Sequence, residues 1–209
     1  MEARQFVSQI NWLGHDGFRI AAQKTVYIDP YEIKGGTSAD LILITHPHFD
    51  HCSVVDIAKV QGPQTIIVTE KESAAQLSGD VRILSPGERL VLEDIAIDAL
   101  PAYNLDKDFH PRAKDWLGFN IELEGVRIYH AGDTDFIPEM KKVQTDIALL
   151  PVSGTYVMTA AEAVQAAQAI KPKIAIPMHF GAIVGSGSDA DRFAADLAGK
   201  VDVTILEKS

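Results

Sequence analysis

The chain has 209 residues, 46% of them hydrophobic and 23% charged, which suits one sizeable core and leaves no apolar run near the eighteen or so residues a membrane span needs. Its 19 Lys and Arg against 29 Asp and Glu give a formal charge of −10, a field that repels polyanions and makes nucleic acid a disfavoured partner. A lone Cys52 excludes an internal disulfide, and the opening residues show no basic segment followed by an apolar one, so a cytoplasmic protein is expected.

In chain order, short β segments are predicted at Gln9 to Leu13, Phe18 to Ala22, Thr25 to Ile28 and the wholly apolar Leu41 to Ile44, with turn signals between them. A helix from about Ser53 to Val60, a strand Thr65 to Thr69 and a helix from about Glu70 to Leu77 follow. The middle reads as a meander: Arg89 to Leu92, Ile95 to Ala99, Phe119 to Leu123 and Val126 to Tyr129, the last two joined across Glu124-Gly125. A β-α-β-α-β run then closes the chain: Asp146 to Leu150, Thr159 to Ile170, Lys173 to Pro177, Ser188 to Leu197 and Val203 to Leu206. In the first of these helices Ala163, Val164, Ala167 and Ile170 share a face, which should cover a sheet. Two β-rich halves with helices predict a sandwich of two mixed sheets with helices outside, the alternative being an open α/β sheet. One irregular stretch, Asn104 to Gly118, is long enough to suggest a functional loop.

The densest chemistry lies in Thr45-His46-Pro47-His48-Phe49-Asp50-His51, directly after an apolar strand. Imidazole nitrogen and carboxylate oxygen are the donors that zinc and similar borderline ions take, and a strand end lets closely spaced side chains converge on one cleft. The alternative, a satisfied polar turn, rarely needs three imidazoles.

These residues match at every named position the His-x-His-x-Asp-His motif of the metallo-β-lactamase superfamily, which the chain resembles from Trp12 to Gly181. The resemblance implies a four-layer αβ/βα sandwich of two mixed β-sheets flanked by helices, an α/β fold, with residues 1–209 as one hydrolase domain. It also implies two divalent metal ions, Zn2+ with Mn2+ or Fe2+ as alternatives. His46 and His48 then bind one ion, while Asp50 and His51 bind the other. Tyr129-His130-Ala131-Gly132-Asp133-Thr134 looks like the family's Gly-Asp-Thr motif, which gives Asp133 the bridging role, and Pro177-Met178-His179-Phe180-Gly181 looks like the final histidine motif, which gives His179 to the second site. For the third ligand of the first site two positions compete: Asn104 stands where the family's histidine usually does but is a poor zinc ligand, whereas His110 has the right chemistry. His110 is preferred, with Asn104 a nearby hydrogen-bonding residue.

Other residues carry weaker readings. His15, in Leu13-Gly14-His15-Asp16-Gly17, resembles an early Gly-His turn of the branch that holds ascorbate-phosphate lactonases and N-acylphosphatidylethanolamine phospholipase D, and is expected behind a ligand. Asp29, before Pro30, is expected either to orient a ligand histidine or merely to cap its turn. His130 reads as structural and Cys52 as a packed thiol. The expected activity is binuclear hydrolysis by a metal-bound hydroxide, with Asp50 and Asp133 as the catalytic carboxylates, on an ester, lactone or phosphodiester of small size. The cations Lys107, His110, Arg112 and Lys114 suggest an anionic substrate read by Arg112, though Asp106, Asp108 and Asp115 could simply neutralise them. The rival readings are a non-catalytic metal-binding module of the same fold and a nuclease of the superfamily; a homo-oligomer is left open.

Overall fold

The structure, a computed structural model, describes residues 2–209. Among these residues the strands assemble into two mixed sheets. The first contains β1 (Ile10–Gly14), β2 (Gly17–Ala21), β3 (Thr25–Ile28), β4 (Ala39–Leu43), β5 (Gln61–Thr69) and β6 (Asp80–Ile83) in simple sequence order. β1, β2 and β3 are antiparallel, and β3 to β6 are parallel. The second contains β7 (Arg89–Leu92), β8 (Ile95–Pro101), β9 (Leu117–Leu123), β10 (Val126–His130), β11 (Ile147–Pro151), β12 (Ile174–Met178) and β13 (Asp202–Val203), again in sequence order. Here β7 to β10 are antiparallel and β10 to β13 parallel.

The period-two alternation of strand side chains sets the layers. In β3 and β4, Val26, Ile28, Leu41 and Leu43 face the main core together with Phe18 and Ile20, where they meet Ile97, Phe119, Ile121 and Ile128 of the other sheet. The intervening Tyr27 and Ile42 face the opposite way, into a second cluster with Ile57 and Val60 of helix α2 (Val54–Val60). Sheets with both faces covered need near-continuous apolar strands, which is why Leu41 to Ile44 carries no alternation. On the far side, α4 (Ala160–Ile170) and α5 (Gly187–Leu197) bury Ala163, Val164, Ala167, Ile170, Phe193 and Leu197. Thr159 and Glu162 form a capping box that starts α4. The result is helix, sheet, sheet, helix, as expected. Two minor helices, α1 (Ala3–Phe6) and α3 (Lys71–Ala74), complete the α-helices among the described residues.

Three expectations are corrected. β6 was not predicted: Asp80-Val81-Arg82-Ile83 alternates polar and apolar residues, but over only four positions of a mostly exposed edge strand. The helix expected to reach Leu77 stops at Ala74. The final strand pairs only at Asp202–Val203, after which the tail crosses to the first sheet, where Ser209 N donates to Trp12 O at 2.9 Å.

Candidate metal centre

Strand direction concentrates the chemistry at one edge. β1, β3 and β4 run the same way, as do β8, β10, β11 and β12, and the segments that leave their C-terminal ends supply every candidate residue. Asp29 follows β3, His46 to His51 follow β4, Asn104 and His110 follow β8, Asp133 follows β10 and His179 follows β12, while His15 and Asp16 turn from β1 into β2. His15, Asp29 and His179 hold left-handed backbone, with φ of 51°, 42° and 60°. Such conformations cost on the order of 1–3 kcal/mol each and persist where the surroundings over-determine them. Gly132, at φ 65°, could not be replaced quietly, since a Cβ there would lie 2.7 Å from Leu117 O.

Five histidines and Asp133 converge. Donor atoms of His46, His48 and His110 lie within 4.8 Å of one another, and so do those of His46, His51 and Asp133. The Asp133 carboxylate stands between the groups: Oδ2 is 3.2 Å from His110 Nε2 and 3.4 Å from His179 Nε2, and Oδ1 is 3.5 Å from His51 Nε2. A further group joins His51 and His179 to His15 and Asp16.

The outer contacts decide which nitrogen each ring turns inward. His51 Nδ1 donates to Asp29 Oδ2 at 2.8 Å, and the same carboxylate accepts from Thr45 N at 2.8 Å and Thr45 Oγ1 at 2.5 Å. Because the Thr45 hydroxyl proton goes to Asp29, its oxygen is left to accept from His46 Nδ1 at 3.0 Å. His179 Nδ1 meets Ser153 Oγ at 2.8 Å. His110 Nδ1 donates to Asn104 Oδ1 at 3.1 Å. In all four rings Nδ1 is engaged and Nε2 faces the centre, the arrangement in which outer-shell partners fix a ligating tautomer. The side-chain atoms of Asn104 are fully used: its oxygen also accepts from His110 N at 3.0 Å, and its amide donates to Asp135 Oδ1 and Tyr156 O. Asn104 therefore positions His110.

Electrostatics agree with a cation-binding centre. Burial first, then neighbouring rings, hold His46 and His48 below the ordinary histidine value. Burial would depress His51 and His179 too, but Asp133, with Asp29 for the one and Asp16 for the other, raises them, His179 to about 9 and His51 well above its ordinary value. Burial opposes ionisation of Asp133, and His179, His51 and His110 outweigh it and hold the carboxyl well below the usual range. Buried His51 Nε2, His110 Nε2 and Asp133 Oδ1 have no hydrogen bond of good geometry. Buried polar atoms are normally satisfied, and a divalent ion satisfies lone pairs of this kind.

Several residues sit apart from their expected places. Asp50 is not within the close donor groups; its Oδ2 accepts from His15 Nε2 at 3.1 Å and is 3.9 Å from His51 Nε2. Burial raises the Asp50 carboxyl, yet the His15 hydrogen bond brings it below its ordinary value. Arg112 is largely exposed, bonds Glu139 at 3.0 Å and lies over the Tyr103 ring. Lys107 is taken by Asp135 and Asp106, and Lys114 by Glu72. The loop cations thus have carboxylate partners, most of them outside the loop. His130 is buried and bonds Asp16 O at 2.9 Å, a structural role. Buried Cys52 is pushed up to about 11 by desolvation. The sequence reading missed Asp16, Asp135, Ser153 and Trp116. Only the His15-Asp16 pair in a tight turn offered a signal.

A family profile described as "Beta-lactamase superfamily domain" matches residues 9–179. The chain belongs to this superfamily. Among its relatives is a UPF0173 metal-dependent hydrolase of Thermoplasma acidophilum, 34% identical with 95% of this chain and 94% of the relative covered. Another from Methanoregula boonei is 32% identical over 94% and 93%. A solved structure of a candidate metal-dependent hydrolase from Parabacteroides distasonis superposes with TM-score 0.86 at 32% identity, covering 96% of this chain and 93% of that one. This superfamily member shares its two-sheet sandwich with the Parabacteroides structure, and its relatives are metal-dependent hydrolases.

Proposed function

We propose that the chain is a binuclear metal-dependent hydrolase of small ester, lactone or phosphodiester substrates. The observation that carries this reading is the Asp133 carboxylate, whose two oxygens lie within 3.5 Å of ring nitrogens from both histidine groups. His46, His48 and His110 would hold one ion, His51, His179 and Asp50 the other, and Asp133 both; the three-imidazole set suits zinc. Two such ions supply a nucleophilic water of near-neutral pKa and polarise the scissile oxygen.

The remaining work belongs to the chain. Asp29, Thr45, Asn104 and Ser153 hold the imidazoles in the one tautomer and orientation that present Nε2. Asp50, partly accessible and bonded to His15, is the carboxylate able to take a proton from the attacking water and return it to the leaving group. Trp116 covers the first group, its ring centroid 4.9 Å from those of His46 and His48, and limits access of bulk water. The mouth is apolar: exposed Phe49 packs on Tyr31 and exposed Phe109 on Tyr156. A substrate with an apolar portion fits this rim, and any anionic group on it would be held at the metals, since Arg112 is engaged by Glu139.

The test is a screen of the metal-reconstituted protein against chromogenic esters, lactones and phosphodiesters. Turnover of one class, lost in Asp133→Asn, is expected. No turnover of any class by protein holding two ions would contradict the proposal and favour a non-catalytic module.

A further inference from the structure

The β1–β2 turn carries a carboxylate that the proposed mechanism does not use. Asp16 is fully buried, and neither of its oxygens has a hydrogen-bond partner. Its backbone is pinned, since Asp16 O is bonded by His130 Nε2 at 2.9 Å. Gly17 behind it packs so tightly that a Cβ would lie 3.1 Å from Asp29 O. The side chain is thereby aimed at three imidazoles: Oδ2 lies 3.7 Å from His15 Nε2, 3.7 Å from His51 Nε2 and 3.8 Å from His179 Nε2. These separations exceed hydrogen-bond lengths. They are the spacings of donors that share an ion, and the donor atoms all fall within 4.8 Å of one another.

We propose that Asp16 is a metal ligand of the His51–His179 site, and that it makes this site an oxygen-rich one which takes a harder ion than the all-histidine site of His46, His48 and His110. The inference rests on the binuclear reading above. Asp50 is partly accessible and tied to His15, whereas Asp16 lies fully buried beneath His51 and His179. With His15 Nε2 given to Asp50 and Asp133 shared, the second site counts Asp16, Asp50 and Asp133 against two imidazoles, and the first counts three imidazoles against Asp133 alone. Carboxylate oxygens favour manganese-like ions and imidazoles favour zinc, so the two sites should differ in preference. The competing reading is that Asp16 serves only as a counter-charge to nearby imidazoles. An isolated buried carboxylate is costly, so under the ligand reading its removal relieves the metal-free protein, and under the counter-charge reading it unsettles it.

The experiment uses the full chain, stripped by chelator and reconstituted in an equimolar mixture of zinc and manganese, as wild type, Asp16→Asn and Asp16→Ser. Elemental analysis after desalting and manganese electron paramagnetic resonance give the readout, with thermal melting of the metal-free proteins alongside. Wild type is expected to retain one zinc and one manganese. Both variants should keep the zinc and bind manganese roughly a hundredfold more weakly, with metal-free melting temperatures equal to or above wild type. Two ions retained at unchanged affinity in the variants would remove Asp16 and leave the binuclear proposal standing. Two zinc ions and no manganese in the wild type would overturn the difference in preference. Lower metal-free melting in both variants would establish the counter-charge role instead. A wild type that holds at most one ion would refute the binuclear proposal, and this inference with it.

Discussion

Asp29→Asn is the most informative single change behind the metal centre, because it keeps the shape of a buried side chain and turns one of its two accepting atoms into a donor. Asp29 Oδ1 accepts from Thr45 N, while Oδ2 accepts from both Thr45 Oγ1 and His51 Nδ1. Asparagine tolerates the left-handed backbone at this position, φ 42°, so the loop should survive. Its oxygen will face the rigid Thr45 N–H, which puts the amide nitrogen opposite His51 Nδ1. That ring must then accept at Nδ1 and carry its proton on Nε2, the atom that faces Asp133 and His179. Loss of an outer-shell partner of this type costs 10- to 100-fold in metal affinity, or about 1.4–2.7 kcal/mol. The opposite amide orientation would restore His51 but set two donors against each other at Thr45, a penalty of about 1–3 kcal/mol. Either way, competition with a fluorescent chelator should show weakened binding, a melting curve should show a less stable protein, or both. Metal affinity and melting temperature both equal to wild type would refute the idea that Asp29 orients His51.

Four further outcomes follow from the same geometry. Asp133→Asn should lower turnover by at least roughly a hundredfold with circular dichroism unchanged; near wild-type rates would take Asp133 out of the mechanism. His110→Ala should lose more metal affinity than Asn104→Ala in chelator competition, since Asn104 acts through His110, and the reverse order would make Asn104 the ligand. Arg112→Gln, which breaks an exposed pair with Glu139, should change stability by only about 0–1 kcal/mol and affect anionic and neutral substrates alike; a loss confined to the anionic one would make Arg112 a reader of charge. In the metal-free protein, the folded-state values of His51 and His179 are raised, His179 from 6.5 to about 9. The His179 contribution is fully present below pH ~6.5 and is lost as pH rises through about 9, and the His51 contribution is likewise present below pH ~6.5 and lost at higher pH. Melting temperature should fall over that interval, and a flat profile would contradict the pairing of these rings with Asp133.

The parts of this molecule legible in the sequence were those with local patterns. Buried strands such as Leu41 to Ile44 announce themselves as apolar runs, and the Glu124-Gly125 hairpin needs two left-handed residues, which it has at φ 52° and 76°. The His46 to His51 cluster was visible because its donors are neighbours along the chain. What stayed hidden depends on distant approach. Asp16 looks like an ordinary turn aspartate until β4 and β12 bring His51 and His179 to it, and Ser153 is unremarkable until β11 and β12 set it against His179. The cations of the Asn104 to Gly118 loop suggested a free anion-binding surface, yet most of their partners, Asp135, Glu139 and Glu72, lie elsewhere in the sequence. Charge sums along a segment carry no information about such partners.

Anomalous diffraction from crystals of the zinc-loaded protein, recorded on both sides of the zinc absorption edge, tests the binuclear centre most directly. Two anomalous peaks are expected, one against His46, His48 and His110 and one against His51 and His179, roughly 3.5–4 Å apart with the Asp133 carboxylate between them. A single peak at full zinc loading, or two that Asp133 does not join, would contradict it.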